Sequence, residues 1–267
     1  MYLGTQNQAF MPSNLVDKFS VVKEMGFDAF EIDGSYILSD VSEVKKAMDK
    51  TGIKVTSVCG GYRGWIGDFI EERRKHCILD VSSILSRLPE IGAKGIVVPA
   101  AWGMFTYRLP PHVSPRSTEG DREAILDSLF SLDKVAGETG TEIYLEPLNR
   151  YQDHMLNTAS DAVSIIKEGN FKNVKMTFDF YHMNIEEDDL TASLCMYKDY
   201  IGHVHVAENH RYQPGTGAID FKSHFKTLKD NGYDGAIIIE CRIRADEPRK
   251  AYEESEKYLR SCWEQKC

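Results

Sequence analysis

The sequence predicts a (β/α)₈ barrel formed by a single domain over residues 1–267. A short apolar run, a loop and a segment with helical periodicity recur eight times along the chain. Continuous Val/Ile runs, as at 95–98 and 236–239, are typical of parallel strands buried on both faces. An open doubly wound sheet is the alternative, but it usually has fewer strands and favours a glycine-rich first turn, and no GxGxxG or P-loop pattern occurs. Eight repeats in a chain of this length therefore favour the barrel.

The elements follow in strict alternation. The predicted strands are 2–5, 29–33, 55–59, 95–99, 142–146, 174–179, 201–206 and 235–240. The predicted helices are 15–25, 41–51, 70–91, 122–139, 159–167, 190–197, 221–231 and 248–263. Five helix ends carry a glycine where a left-handed residue is needed, namely Gly26, Gly52, Gly92, Gly140 and Gly232.

The longest irregular stretch, 100–120, follows the fourth strand. Loops of this length in a compact domain are usually functional or disordered. The aromatic and proline content of this one, which includes Trp102 and Phe105, favours an ordered lid or wall.

Composition excludes several classes of function. With 32 basic and 41 acidic residues, the net charge of −9 offers no broad surface for a phosphate backbone, so we expect no nucleic-acid partner. The longest apolar stretches fall far short of the roughly 20 residues that span a bilayer. The first residues lack a basic region followed by an apolar run, and we therefore expect a cytoplasmic protein.

Six cysteines are scattered without CxxC spacing, which predicts reduced thiols and no thiolate zinc site. They are Cys59, Cys77, Cys195, Cys241, Cys262 and Cys267. Of these, Cys59 and Cys241 are predicted to lie in strands.

Four consecutive predicted strands end in or contain an ionisable side chain: Glu146, Asp179, His205 and Glu240. Active sites of such barrels lie at the carboxyl ends of the strands. A lone charge there would be costly to bury, and grouping the four around a divalent cation removes that cost. The alternative for each carboxylate is that it caps the next helix or pairs with an arginine.

Three carboxylates and one imidazole form a hard site, suited to Mn²⁺, Mg²⁺ or Co²⁺ and not to structural zinc. His203 and His205 share one strand face because the side-chain period is two. Only one of them needs to be a ligand, and we expect His203 to lie deeper in the barrel.

Several motifs carry a resemblance to a known family. They are Glu146-Pro-Leu-Asn-Arg150, Asp179-Phe-Tyr-His182-Met-Asn184, the run from His203 to Arg211, and Pro214-Gly-Thr-Gly217. The chain resembles the xylose-isomerase-like sugar isomerases and epimerases, which are TIM barrels. The resemblance implies that Glu146, Asp179, His205 and Glu240 bind a divalent metal, usually manganese, and that His182 and Arg211 contact the substrate.

In such a site, a cation acidifies the C–H next to a carbonyl, and Glu146 and Glu240 can act as base and acid on opposite faces of the carbon. His182 can hydrogen-bond the developing oxyanion. The alternatives are a surface histidine at a helix start for His182 and a solvated loop arginine for Arg211.

Departures from the family pattern refine the prediction. Ketose epimerases of this family usually carry a glutamate where this chain has Gln152, and an amide cannot act as a base. Asp153 and His154 follow it, either as an additional pair that could supply acid/base function at the substrate or as residues of a surface loop. Gln152 can instead hold a substrate hydroxyl, and Trp102 and Phe105 in the fourth loop offer an aromatic surface suited to a flat, apolar part of a substrate. Together these features resemble the large catalytic subunit of bacterial C-glycoside deglycosidases.

The sequence therefore favours C-glycoside cleavage, in which an aromatic aglycone is eliminated from a 3-keto glycoside. A ketose 3-epimerase or an aldose–ketose isomerase is the alternative. A catalytically silent binding barrel is disfavoured by the intact ligand set, and a phosphatase or nuclease by the small number of histidines. The resemblance also implies a homo-oligomer, or a hetero-oligomer with a small second subunit.

Overall fold

The computed structural model describes residues 1–265 and confirms the barrel. Its strands are β1 Tyr2–Thr5, β2 Ala29–Phe30, β3 Ser57–Cys59, β4 Gly95–Pro99, β5 Glu142–Glu146, β6 Val174–Asp179, β7 Ile201–Val206 and β8 Ala236–Ile239. All neighbours are parallel, in the order β2-β1-β8-β7-β6-β5-β4-β3. Two isolated parallel bridges, Ala29 to Lys54 and Ile32 to Val58, join β2 to the β3 region and close the ring.

Helices surround the strands. They are α1 Leu15–Glu24, α2 Gly34–Thr51, α3 Glu71–Arg87, α4 Thr118–Thr139, α5 Ala159–Glu168, α6 Phe180–Glu186, α7 Leu190–Met196, α8 Phe221–Asp230 and α9 Pro248–Trp263. Within residues 1–265, none of these helices combines the length and apolar character needed to cross a membrane.

Local signals explain most of the boundaries. Gly52, Gly92 and Gly140 adopt left-handed φ values of 77°, 69° and 69° where helical turns end, as predicted. At the start of α5, Thr158 and Asp161 form a reciprocal capping box. These caps satisfy backbone groups that the helices leave unpaired.

Several elements differ from the prediction: β2, β3 and β8 are shorter, and α4 begins four residues early. Helix α2 begins seven residues early, because Asp33 caps it and a non-helical residue, Asp40, joins two helical pieces. The predicted helix 70–91 ends in a 3₁₀ turn, Leu88–Ile91, at the position of Pro89. Helix α6 was not predicted, since it follows β6 with no intervening loop.

The thiols of Cys59, Cys77, Cys195 and Cys241 are free. Cys59 ends β3 as predicted, whereas Cys241 lies beyond the end of β8, so its strand placement was wrong. Lys266 and Cys267 lie outside the described residues.

Candidate active site

The structure brings the four predicted ligands together at the carboxyl ends of β5–β8. Glu146 ends β5, Asp179 ends β6, His205 lies near the end of β7 and Glu240 directly follows β8. One potential ligand atom from each lies within 4.8 Å of the others. The first three residues are buried, and Glu240 is half-buried.

The imidazole of His205 turns Nδ1 toward the three carboxylates. Nδ1 lies 2.9 Å from Glu240 Oε2, 3.2 Å from Glu146 Oε1 and 4.0 Å from Asp179 Oδ2. Burial opposes protonation of this ring, but the surrounding carboxylates raise the pKa of His205 well above its usual value. The cluster therefore has a strong affinity for positive charge.

Asp179 both caps a helix and pairs with an arginine, which are the two alternatives that the sequence left open for a strand-end carboxylate. Its role as a metal ligand stays a prediction. Its Oδ1 accepts hydrogen bonds from the backbone N–H groups of Tyr181 and His182, at 2.7 and 3.3 Å, and so caps α6. Its Oδ2 accepts from Arg211 Nη1 at 2.6 Å, and Arg211 Nη2 lies 2.7 Å from Glu240 Oε2. The predicted alternative of a solvated arginine is wrong, because this guanidinium is part of the cluster.

The two glutamates differ in their surroundings. Burial raises the pKa of Glu146 to about 7. Burial would also raise the pKa of Glu240, but the adjacent Arg211 and His205 hold it below its usual value. Carboxyl groups with separated pKa values can divide the roles of acid and base.

His182 faces the cavity as a hydrogen-bond donor. Its Nδ1 accepts from the backbone N–H of Asn149 at 3.0 Å, which leaves the hydrogen on Nε2. Burial lowers the pKa of His182 to about 4, so the ring is neutral at pH 7. The alternative of a surface histidine is wrong, since the residue is 2% exposed.

A cavity of about 360 Å³ opens above the cluster. Trp102, Gln152, His182 and Arg211 line it together with Glu146 and Glu240. Contact of these residues with a substrate stays a prediction. Sequence reasoning missed further lining residues: Gln6, Cys59, Tyr62, Trp65 and Arg242. The glycine-rich segment just after the third strand, 60–65, contains Tyr62 and Trp65 and is a signal that could have identified both.

Two predicted substrate contacts lie elsewhere. His154 and Phe105 are absent from the cavity lining that the described residues form. His154 is almost fully buried, with Nε2 2.8 Å from Asp121 Oδ2 and its ring 4.8 Å from that of Phe105. Asp121 also accepts from Arg116 Nε at 2.6 Å. These side chains pack against the β4–α4 loop, residues 100–117, and stabilise it. Because His154 is buried in these contacts, the alternative that it belongs to a surface loop is wrong.

The β4–α4 loop is also fixed to the neighbouring β5–α5 loop. Gly103 N donates to Gln152 O at 2.8 Å, and Thr106 Oγ1 donates to Arg150 O at 2.7 Å. These bonds hold Trp102 at the mouth of the cavity, where it is 56% exposed. The loop forms an ordered wall, as its composition predicted.

Glu31 is a buried carboxylate at the site that sequence reasoning did not single out. It lies between His203 and His205, just after β2. Burial opposes its ionisation, but the two histidines hold the pKa of Glu31 well below its usual value. His203 is buried and its ring stacks on that of Tyr144, in agreement with its predicted deeper position.

A larger cavity, of about 870 Å³, opens at the amino-terminal end of the strands. Its lining includes Lys54, Tyr144 and Lys175 but none of the four clustered ligands. The smaller cavity is therefore the one that gives access to the candidate chemistry.

Several known proteins are similar to this chain over most of its length. A 3-dehydro-D-guloside 4-epimerase of Escherichia coli is 56% identical over 262 residues, covering 98% of this chain and 100% of that protein. The apo crystal structure of a 3-keto-D-glucoside 4-epimerase from E. coli matches with a TM-score of 0.97 at 56% identity, over 98% of this chain and 100% of that one. A D-psicose 3-epimerase of Ruminiclostridium cellulolyticum is 29% identical over 228 residues, 84% of this chain and 76% of that protein.

These relatives are epimerases, so they support the epimerase alternative over the C-glycoside cleavage that the sequence favoured. The family model described as a xylose isomerase-like TIM barrel matches residues 19–262. The chain therefore belongs to the xylose isomerase-like TIM barrel family and is an enzyme of its sugar epimerase and isomerase group.

Proposed function

We propose that this protein is a metal-dependent epimerase of 3-keto glycosides that inverts the configuration at carbon 4. The observation that carries the proposal is the placement of Glu146 and Glu240, which approach one point on the cavity floor from β5 and β8. The activity of the 56% identical E. coli relative supports carbon 4 as the reacting position.

The donor set fits a divalent cation. Three carboxylates and the Nδ1 atom of His205 converge within 4.8 Å, a mostly oxygen set that suits Mn²⁺, with Mg²⁺ and Co²⁺ as alternatives. When bound, the ion would act as a Lewis acid that polarises the ketone and makes the neighbouring C–H more acidic. Glu146, Asp179, His205 and Glu240 would hold it.

The proton moves between the two glutamates. One carboxylate removes the proton from carbon 4, and the C–H electron pair becomes part of an enediolate of carbons 3 and 4. The other glutamate, in its protonated form, delivers a proton to the opposite face of carbon 4 and becomes a carboxylate. The sum is inversion without loss of atoms, and the reverse reaction exchanges the two roles.

Other cavity residues orient the substrate. His182 Nε2–H can donate a hydrogen bond to the carbon 3 oxygen, on which negative charge develops. The Arg211 guanidinium can bind a neighbouring hydroxyl of the substrate. The Gln152 amide can hold a hydroxyl group without competing for the proton. Trp102 offers an indole face at the mouth of the cavity, where the group attached to carbon 1 of a glycoside could stack.

Proton NMR in D₂O tests the proposal. Manganese-loaded protein is mixed separately with a methyl 3-keto-glucoside, a 3-keto C-glucoside with an aromatic aglycone, and D-fructose. Diamagnetic products are read after the metal has been removed. We expect deuterium at carbon 4 of the methyl glycoside and the appearance of its 4-epimer.

The other arms identify the competing activities. Release of the aglycone would support elimination from C-glycosides, and deuterium only at carbon 3 of fructose would support a ketose 3-epimerase. No exchange with the methyl 3-keto-glucoside, in protein shown to contain the metal, would contradict the proposal.

Assembly of the chain into a homo-oligomer, or into a hetero-oligomer with a small second subunit, stays a prediction. Apolar side chains of the β4–α4 loop, including Tyr107, Leu109 and Val113, are exposed next to the cavity. Burial of this surface between copies would explain their exposure, and light scattering of the purified chain measures the mass directly.

A further inference from the structure

Glu31 lies beneath the four-residue cluster and accepts contacts on both of its oxygens. Oε1 lies 2.9 Å from Gln6 Nε2 and 2.9 Å from His205 Nε2. Oε2 accepts from Ser57 Oγ at 2.6 Å and lies 2.8 Å from His203 Nε2, in a more oblique contact. Glu31, Ser57 and both histidines are buried, so these contacts replace water as the partners of the carboxylate.

The donor on each oxygen defines what Glu31 does. The Gln6 amide nitrogen can only donate, and the Ser57 hydroxyl donates to the other oxygen, so Glu31 acts as an acceptor on both sides. His205 then meets an acceptor at Nε2 and must carry its hydrogen there. Its Nδ1, which faces Glu146 at 3.2 Å and Glu240 at 2.9 Å, keeps the lone pair when a cation displaces its proton.

We propose that Glu31 is a positioning residue that fixes the hydrogen of His205 on Nε2 and thereby commits Nδ1 to the metal. A carboxylate bound to the far nitrogen of an imidazole also raises the basicity of the near one and limits rotation of the ring. The affinity of the site for its cation is therefore set partly by a residue that does not touch the cation.

His203 completes the arrangement from the same strand. It lies two positions before His205, and so on the same face of β7, and its ring stacks on Tyr144 with centroids 5.0 Å apart and planes 9° apart. Stacking holds its Nε2 against the second oxygen of Glu31. The His-Val-His motif thus contains one metal-facing histidine and one that stabilises the carboxylate behind it.

The spacing of Glu31, His203 and His205 could suggest a second cation site. The donors argue against that interpretation, because Gln6 and Ser57 already direct hydrogens at the two carboxylate oxygens that a cation would need. The assembly is a hydrogen-bonded support, contributed largely by the β1–β3 side of the barrel, for ligands that come from β5–β8.

Glu31→Gln tests the inference in the full-length protein. The variant keeps the shape of the side chain, removes its charge and replaces one acceptor oxygen with a donor. We measure Mn²⁺ binding to metal-free protein by calorimetry and expect affinity to fall about 10- to 100-fold. Glu256→Gln is the matched control, because Glu256 is a buried glutamate paired with Arg260 on α9, remote from the cluster. We expect this control to bind Mn²⁺ like the wild type.

A spectroscopic measurement separates positioning from general damage and needs no metal. In ¹⁵N-labelled, metal-free wild type, long-range ¹H–¹⁵N spectra should show a protected Nε2–H on His205, and Glu31→Gln should lose or strongly shift it. Thermal unfolding of the same sample shows whether the variant is folded.

The outcomes are distinct. A folded Glu31→Gln variant with wild-type Mn²⁺ affinity and an unchanged His205 signal would overturn the inference. The affinity measurement rests on the proposed metal site, so absence of Mn²⁺ binding by the wild type would contradict that site instead. In that case, the His205 signal of metal-free protein still decides the role of Glu31.

Discussion

At the scale of single residues, the pKa values of the carboxyl groups in the candidate site depend on neighbouring side chains more than on residue type. Glu146 and Glu240 are both glutamates at strand ends, but only Glu240 lies against the guanidinium of Arg211. The pKa of Glu146 is raised to about 7 by burial, while that of Glu240 is lowered. Identical side chains are thereby given different affinities for a proton, and carboxyl groups with separated pKa values can divide the roles of acid and base.

Replacing either glutamate tests this division. We expect Glu146→Gln and Glu240→Gln each to lower kcat for epimerisation by about 10³-fold, because an amide neither accepts nor delivers the proton. Epimer formation is measured by NMR at saturating Mn²⁺. Metal content is measured on the same samples, since both residues are also predicted ligands. Epimerisation at the wild-type rate in a metal-loaded variant would exclude that glutamate from proton transfer.

A second titration concerns stability and not catalysis. Burial raises the pKa of Asp153 from 3.8 to about 6. The folded protein therefore binds this proton more tightly than the unfolded chain, so the contribution of Asp153 to stability is full below about pH 4 and is lost as pH rises through 6. The shift corresponds to about 3 kcal/mol at neutral pH.

Asp153→Asn should remove this dependence. We expect the unfolding free energy of the variant, relative to wild type, to increase by up to about 3 kcal/mol between pH 4 and pH 7. Urea denaturation at both pH values measures the difference. The exposed Asp230→Asn on α8 is the control, and a parallel pH dependence in wild type and Asp153→Asn would contradict the assignment.

At the scale of elements, strand positions were predictable and some connections were not. Bounds of β1, β4, β5, β6 and β7 agree with the sequence prediction because continuous apolar runs are unambiguous in a sheet covered on both faces. Helix α6 was missed because Asp179 ends a strand and caps a helix at once. Glu31 was missed because it lies inside an apolar run, where its partners come from distant parts of the chain.

The same limit applies to the substrate contacts. Strand-end ligands follow from topology, since every parallel strand of a barrel delivers its last residues to one face. The direction of a loop side chain does not follow from topology in this way. His154 contacts the buried Asp121, whereas Gln152, two residues earlier, lines the cavity. Sequence alone could therefore predict that the four side chains cluster, but not which of the residues around them line the cavity.

Asp121 provides a test of how the β4–α4 loop is held. Asp121→Asn weakens the buried pairing with Arg116 and His154, and we expect a loss of about 3 kcal/mol in unfolding free energy. Trypsin should then cut faster after Arg108, and KM for a glycoside should rise more than kcat falls, because Trp102 is held less firmly. Glu119→Gln, an exposed change on the same helix, is the control. Wild-type proteolysis and KM in Asp121→Asn would show that other contacts hold the loop.

At the scale of the whole molecule, binding of a cation at the predicted site is coupled to folding of the barrel. The four predicted ligands lie at the ends of four successive strands, so a cation that they bind only in the folded barrel must stabilise all of it. At a concentration 100 times its dissociation constant, Mn²⁺ should add about 2.7 kcal/mol. For a chain of this size, that corresponds to a rise in Tm of about 5–10 °C.

Thermal unfolding of metal-free protein with and without Mn²⁺ measures this effect. An Asp179→Asn variant should show a smaller rise, since it loses one charged ligand, and Ca²⁺ serves as a control cation of larger size. An equal rise in Tm in the variant and the wild type would locate the stabilising ion elsewhere.

The junction between β2 and the β3 region also affects how long a bound cation would remain in the site. Among residues 1–265, two isolated bridges join these strands, and the Ser57 hydroxyl donates a hydrogen bond across the same junction to Glu31. Segments with few cross-strand hydrogen bonds open first in local fluctuations. Each such opening would detach Glu31 from Ser57 and loosen the ring of His205 on the opposite side. We therefore expect the residence time of the cation to follow the hydrogen-exchange rate of the Phe30 and Cys59 amides, which bond across this junction.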